Sequence, residues 1–349
     1  GAAINLSIKS GGNDVHGSAF LHHFNQELSA YPYFSDRNAP QPKYIYNQYG
    51  GTVGGPIKKN KAFFFVSYER TTERQNAQRY LDVPTAAMRA GDLSGSPTAI
   101  YDPLTGAAFN PANQNAFARD RTPFAGNRIP VARFSAPTRK ILSLPDWPLP
   151  NAPGQGALGI NLNYLAAINY KYNRDQIDAK TNFNLSEKWT AFTRLSYLRY
   201  NTDNPPPFGV LAGPGVHPTD NRPGNGFGAT YSGTVSTTYV VSPNLVIDGY
   251  YGAMLLDTNA LFPDLDQNIA RDLLGIPGTN GSTTFAGGMV RMPIDGFSPL
   301  GNENNSPFFG RDYQYQYVAN GNYSKGSHEL RFGADLYQLQ LNQGVANAA

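Results

Sequence analysis

Cysteine is absent from the 349 residues, which excludes thiol catalysis, zinc–thiolate centres and a disulfide framework together. Charge is scarce: Asp, Glu, Lys and Arg supply 15% of the chain, against about 25% in an ordinary soluble domain. The 28 basic and 25 acidic residues nearly cancel, and Lys58, Lys59 and Lys61 form the one basic cluster, so nucleic acid is not an expected partner. No run approaches the ~20 consecutive apolar residues of a membrane-spanning helix. The mean hydropathy of −0.43 reads as soluble, but strands that alternate apolar and polar residues average to a polar score whatever surrounds them. The chain opens at Gly1 without a basic n-region or an apolar h-region, which implies a removed leader or an internal piece of a longer protein.

Backbone punctuation and aromatics are abundant instead. There are 36 Gly, 27 Pro, 22 Tyr and 20 Phe, a composition unsuited to a helical bundle, a coiled coil or a charged disordered tail. Period two dominates. Ile177, Ala179, Phe183 and Leu185 alternate with Arg174, Gln176, Asp178, Lys180 and Asn182. Phe227, Ala229, Tyr231, Val235, Tyr239 and Val241 alternate with a row of Thr and Ser, and Tyr313, Tyr315, Tyr317, Ala319 and Tyr323 with Gln and Asn. Leu330, Phe332, Ala334 and Leu336 oppose Glu329, Arg331 and Asp335. Side chains of a strand point alternately to opposite faces, so each segment is a strand with one apolar and one strongly polar face. Further strands are expected at 15–25, 44–56, 61–72, 188–201 and 244–256, with a short one at 4–9, giving about nine after the first.

The connections alternate. Tight turns at 56–60, 186–188, 242–244 and 325–327 are separated by long loops at about 26–43, 73–171, 202–226 and 257–310. In an up-and-down antiparallel sheet this puts every tight turn at one end and every long loop at the other, the asymmetry of outer-membrane barrels. Strands of over ten residues suit the ~9–11 needed to cross a bilayer at a tilt, and a closed barrel satisfies every backbone polar group inside lipid. The expected fold is all-β, an antiparallel transmembrane β-barrel, incomplete in this chain. A β-sandwich or propeller also alternates, so period two alone leaves a soluble secreted carbohydrate-binding β domain open. Tyr44, Tyr46, Tyr68, Tyr197, Tyr200, Tyr313 and Tyr315 are expected in an interfacial belt.

Several stretches carry a family resemblance. Residues 4–20 (INLSIKSGGNDVHGSAF) resemble the junction between plug and barrel in TonB-dependent outer-membrane transporters, and the Oar-like group in particular. Supporting stretches are NQYGGTVGGPI at 47–57, KAFFFVSYE at 61–69, VPTAAMRAGDLS at 83–94, IYDPLTG at 100–106, NRIP at 127–130, LGIPG at 274–278 and GFSPLG at 296–301. The resemblance implies a barrel of about 22 strands, occluded by an N-terminal plug and energised through TonB. Residues 1–12 would be the last plug strand and 13–349 the N-terminal part of the barrel. The partners implied are outer-membrane lipid, the plug of the same parent chain, the TonB complex reached through an upstream segment, and an unknown extracellular ligand. The parent would take up that bulky ligand across the cell outer membrane of a Gram-negative bacterium. The alternative is a non-transporting interaction or adhesion barrel that uses its loops.

No catalytic constellation appears, and neither an enzyme activity nor a cofactor is expected. His16 and His22 share a strand face but lie roughly 20 Å apart, too far for one metal. Asp264, Asp266 and Asn268 open like a calcium loop, yet Ile269 and Gly275 stand where such a loop requires Gly and Glu. Arg174, Asp178, Lys180, Glu329, Arg331 and Asp335 are the expected lumen-lining residues, with mixed signs suited to salt bridges or to a hydrated interior. Gly50, Gly51, Gly54 and Gly55 suit a bulge, strong twist or close approach by the plug. Val83 to Ser94 suits a short helix capped by Thr85, and ligand choice is expected in long loops that expose Tyr, Asn and Pro.

Overall fold

Residues 8–31, 33, 41–106, 121–219, 222–303 and 306–346 are described by the computed structural model of the chain. They form one antiparallel sheet of ten strands in sequential order. The strands are β1 (His16–Asn25), β2 (Tyr44–Lys58), β3 (Ala62–Leu81), β4 (Tyr164–Ser186), β5 (Trp189–Asn204), β6 (Gly224–Ser242), β7 (Leu245–Leu261), β8 (Phe308–Lys325), β9 (His328–Gln340) and β10 (Gln343–Val345). β9 and β10 both pair with β8. Leu341 and Asn342 interrupt the ladder between them, where the Asp312 carboxylate takes the amide of Asn342 and the side chain of Gln343. The sheet is open, with β1 at one edge and β9 and β10 at the other. The expected short strand at 4–9 falls mostly outside the described residues.

Tight turns join β2–β3, β4–β5, β6–β7 and β8–β9, and the first three follow a bulge, at Pro56/Lys58, Asn184/Ser186 and Val240/Ser242. The remaining connections all leave the opposite end, as the loop alternation requires. The two long strands run further than expected: β3 continues to Leu81 and β4 begins at Tyr164, so the longest loop is 82–163 rather than 73–171. The other loops shorten likewise, to 205–223 and 262–307. The reason is visible in the side chains. Beyond Tyr68 the outward residues Arg70, Thr72, Arg74 and Asn76 alternate with the inward Thr71, Glu73 and Gln75, so over 70–76 both faces are polar and the contrast that marks a strand disappears.

Register assigns the faces. One face carries Phe65, Ser67, Glu69 and Thr71 of β3, opposite Lys180, Asp178, Gln176 and Arg174 of β4, and continues through Arg194, Ser196 and Tyr200 of β5. The other carries apolar rows, including Trp189, Tyr239, Ile247 and Phe332, then Val235, Tyr251, Tyr317 and Leu336, then Tyr68, Ile177, Tyr197, Tyr231, Leu255 and Tyr313. These large apolar side chains are exposed, with Leu195 at 65% and Val235 at 55%, because no protein covers them. From Ile247 to Leu255 the band runs about 27 Å along β7, or about 21 Å at a tilt of roughly 40°, close to the ~25 Å apolar belt of outer-membrane barrels. Lipid is the solvent this face suits.

The buried core lies elsewhere. It gathers Ala77, Leu81, Ala166, Ile168 and Tyr170, on the inner face of the β3–β4 extension, with Val83, Ile141, Trp147, Phe208, Leu211, Val216, Ile269, Met289 and Leu300 from three long loops. The loops thus fold over the inner side of the wall as a cap, whose core is completed by the inner face of the β3–β4 extension.

Candidate functional site in the lumen wall and loop cap

The six expected lumen residues share the inner face but form two groups, one on β4 and one on β9, with four strands between. On β4, Arg174 donates to Glu69 of β3. Asp178, 7% exposed, accepts from Arg194 of β5 at 3.1 Å, from Ser196 and from Gln176 at 2.9 Å. The Lys180 ammonium donates to the Ile8 carbonyl at 3.3 Å and sits 5.0 Å from the Phe192 ring. On β9, Arg331 pairs with Glu329 at 2.8 Å, and Gln316 of β8 donates to both oxygens of Asp335 at 2.9 and 3.1 Å. Glu69 and Arg194 were not anticipated, since the pairing that makes them counterions lies across strands rather than along one. Thr71 Oγ1, Asn182 Oδ1 and the Nε atoms of Arg174 and Arg194 are buried there without a partner among the described residues.

The inner wall also receives the chain that precedes β1. Residues 8–15 lie along the turn-side end of β2 and β3, where the Gly11 Cα stands 3.4 Å from the place a side chain on Gly54 would fill. Asn13 fixes the segment by donating to the Asn60 side chain at 2.7 Å and accepting its amide at 2.8 Å. The glycine-rich stretch therefore serves both a bulge and a close backbone approach. The tyrosine belt needs correction: Tyr68, Tyr197, Tyr313 and Tyr315 face outward, joined by Tyr231, but register turns Tyr44, Tyr46 and Tyr200 inward. Tyr44 and Tyr46 flank the outward Ile45, so large apolar side chains on both sides of that strand end hide its parity.

The cap is built by the motif residues. Helix α1 (Ala86–Arg89) is capped by Thr85, whose hydroxyl accepts from the Met88 amide, and α2 (Ala136–Ser143) is capped by Ser135. Arg89 reaches across to the carbonyls of Leu142, Trp147 and Pro148 at 3.0, 2.6 and 2.7 Å, and burial lowers its pKa. The Ser94 hydroxyl and amide, with Arg128 beside them, hold Asp92 down to about 2. Asp102, bound in a fork by Arg133 at 2.5 and 2.7 Å, is depressed mainly by that guanidinium. Ser298 exchanges hydrogen bonds with the backbone of Asp82, and Leu300 behind it is fully buried. Three loop asparagines, Asn127, Asn163 and Asn280, tie backbone groups together, while Asn151 and Asn161 stay exposed.

One loop descends toward the wall. His217, on 205–223, stacks on Tyr170 with ring centroids 3.9 Å apart and bonds to Gln75 at 2.9 Å, while Arg79 holds the Gly215 carbonyl at 2.8 Å. Asp264 is occupied by the Met289 amide and Asn302, so the calcium-like opening serves the loop backbone. No group of three His, Cys, Asp or Glu among the described residues could hold a metal.

A wall that is apolar outside and polar inside, with tight turns at one end and a folded loop cap at the other, is that of an outer-membrane β-barrel. The chain belongs to the outer membrane beta barrel domain family, whose model matches residues 7–349. Its place is the cell outer membrane of Gram-negative bacteria, and lipid is the partner of its outward face. A search of curated proteins finds no match.

Proposed function

We propose that the chain is barrel wall from a TonB-dependent receptor of the Oar-like group, whose parent takes up a bulky ligand across the outer membrane with energy delivered from the inner membrane. The observation that carries this reading is the course of residues 8–15, which lie against the inner wall through Gly11, Asn13 and the Ile8 carbonyl before turning into β1. A segment leaving a lumenal plug for the first barrel strand would follow that path. The Nε donors of Arg174 and Arg194, without partners among the described residues, are suited to acceptors on such a plug. The motifs at 47–57, 83–94 and 296–301 are framework for wall and cap, so ligand choice falls to the outer surface of the cap. The packed core of the cap also suits a non-transporting adhesion barrel, and energy dependence separates the two.

The test uses Gly11→Val in the parent protein. A side chain at Gly11 would run into the Phe64 and Gly55 carbonyls, so the variant displaces the segment from the wall. A rise in passive entry of a bulky antibiotic, together with loss of the wild-type growth advantage on the imported nutrient in cells with a working energy transducer, is expected. Wild-type uptake that is unchanged when the transducer is deleted refutes energised transport and leaves adhesion.

A further inference from the structure

The outward face carries a line of charge that neither lumen nor cap explains. Across consecutive strands one line of pairing reads Arg70, Asp175, Arg199, Ala229, Asp257 and Arg311. It lies immediately on the loop side of the row Tyr68, Ile177, Tyr197, Tyr231, Leu255 and Tyr313, which places it where hydrocarbon gives way to headgroups in the outer leaflet. Arg70 is bound to Asp175 and Arg311 to Asp257, each at 3.0 Å. Arg199 stands exposed between them, with no ion pair or side-chain hydrogen bond among the described residues. Ala229 beside it leaves room that a longer side chain would fill.

Directly beneath is a groove of about 620 Å³ open to the bilayer. Gly233 and Ala253 form its floor, and Tyr197, Tyr231, Tyr313 and Tyr315 its sides, with the Tyr197 and Tyr231 rings 5.0 Å apart. The volume lies within the roughly 300–1,000 Å³ of small-molecule sites. A groove in the membrane gains little from being apolar, because lipid tails are equally apolar. Selectivity therefore rests with the polar row above it, and the groove supplies shape.

We propose that this place binds a phosphorylated, acylated glycolipid of the outer leaflet. The phosphate sits on the free guanidinium fork of Arg199, whose planar donors match two phosphate oxygens at once. With Arg70 and Arg311 paired to Asp175 and Asp257, the three guanidinium groups exceed the two carboxylates by one, and that charge falls on Arg199. The carboxylates of Asp175 and Asp257 and the tyrosyl hydroxyls below accept hydrogen bonds from sugar hydroxyls, and one acyl chain lies over Gly233 and Ala253.

The experiment is native mass spectrometry of the full protein extracted from outer membranes, delipidated and then offered three lipids singly: a diphosphorylated acylated disaccharide, the same glycolipid with its phosphates removed, and phosphatidylglycerol. Retention of the first at about tenfold higher occupancy than either of the others is expected. Arg199→Ala should abolish that preference. Gly233→Phe should lower retention too, since a Cβ there meets Leu195 at an ordinary 3.4 Å and the ring then fills the groove. Both variants are to be checked for the heat-dependent gel shift of a folded barrel. Equal retention of the dephosphorylated lipid, equal retention of phosphatidylglycerol, or an undiminished preference in folded Arg199→Ala would each overturn the proposal.

Discussion

Replacing Asn163 by Leu should open the loop cap and leave the barrel wall standing. Asn163 and Val83 are both fully buried, and the amide imitates a strand partner: its oxygen accepts the Val83 N–H at 2.9 Å, and its nitrogen donates to the carbonyls of Val83 at 2.8 Å and Gly159 at 3.2 Å. Leu keeps the same number and branching of side-chain heavy atoms, with bulkier methyl groups and none of the donors or acceptors. Two fully buried groups on Val83 and one on Gly159 lose their partners at about 1–3 kcal/mol each. Allowing the Gly159 carbonyl to recover a water, the net cost is about 4 kcal/mol, which raises the open population of the cap roughly thousandfold. The damage should stop at the wall, because the β3–β4 ladder is intact up to the pair Leu81–Tyr164. Trypsin added to intact cells reads this directly: the guanidinium of Arg89, held by three carbonyls in the closed cap, becomes a cleavage site when the cap opens. Rapid cutting after Arg89 with an unchanged heat-dependent gel shift is the expected result. Unchanged protection at Arg89 would refute the claim that this side chain holds the cap shut, and simultaneous loss of barrel assembly would refute the independence of cap and wall.

Two further predictions follow from the faces and the acids. Val235→Arg and Leu336→Arg, in the middle row of the lipid side, should each cost about 2–4 kcal/mol and cut the fraction of assembled barrel, whereas Thr234→Arg and Glu329→Gln on the inner face should assemble normally. Urea titration of protein in vesicles checks this, and equal losses on both faces would reverse the assigned orientation. Asp92 and Asp102 both have depressed folded pKa values, so what they contribute to the cap is fully present above about pH 4, the usual carboxylate value, and is lost as pH falls through their folded values, near 2 for Asp92. Pepsin should therefore reach the chain around Asp92 and Asp102 progressively between about pH 4 and pH 2, and hydrogen-exchange protection factors there, taken relative to the intrinsic exchange rate at each pH, should stay level from about pH 5 to 8. Loosening as pH rises through that upper range would show that other groups set the stability of this arm.

What could be read from the residues depended on contrast between two sides of a strand. Where one side met hydrocarbon and the other a wet interior, as at Ile177 and Asp178 or Leu330 and Arg331, alternation marked both the strand and its faces. Past the tyrosine row the outer side also meets polar surroundings. Arg70, Asp175, Arg199 and Asp257 then look like any other polar residue, and the extension of β3 and β4 reads as loop. The same loss of contrast hid the outward parity of the charged row and the inward parity of Tyr44, Tyr46 and Tyr200. The cap was invisible for a different reason. Its stability comes from side chains such as Asn163, Arg89 and Ser298 that bond to backbone far along the chain, and Gly, Pro and Asn in such a segment look identical whether they serve a free loop or a packed one. The motif text at 83–94 and 296–301 therefore marks framework: Ser298 bonds to Asp82, at the root of the helix that places Arg89, so either stretch altered alone would leave the other without its anchor.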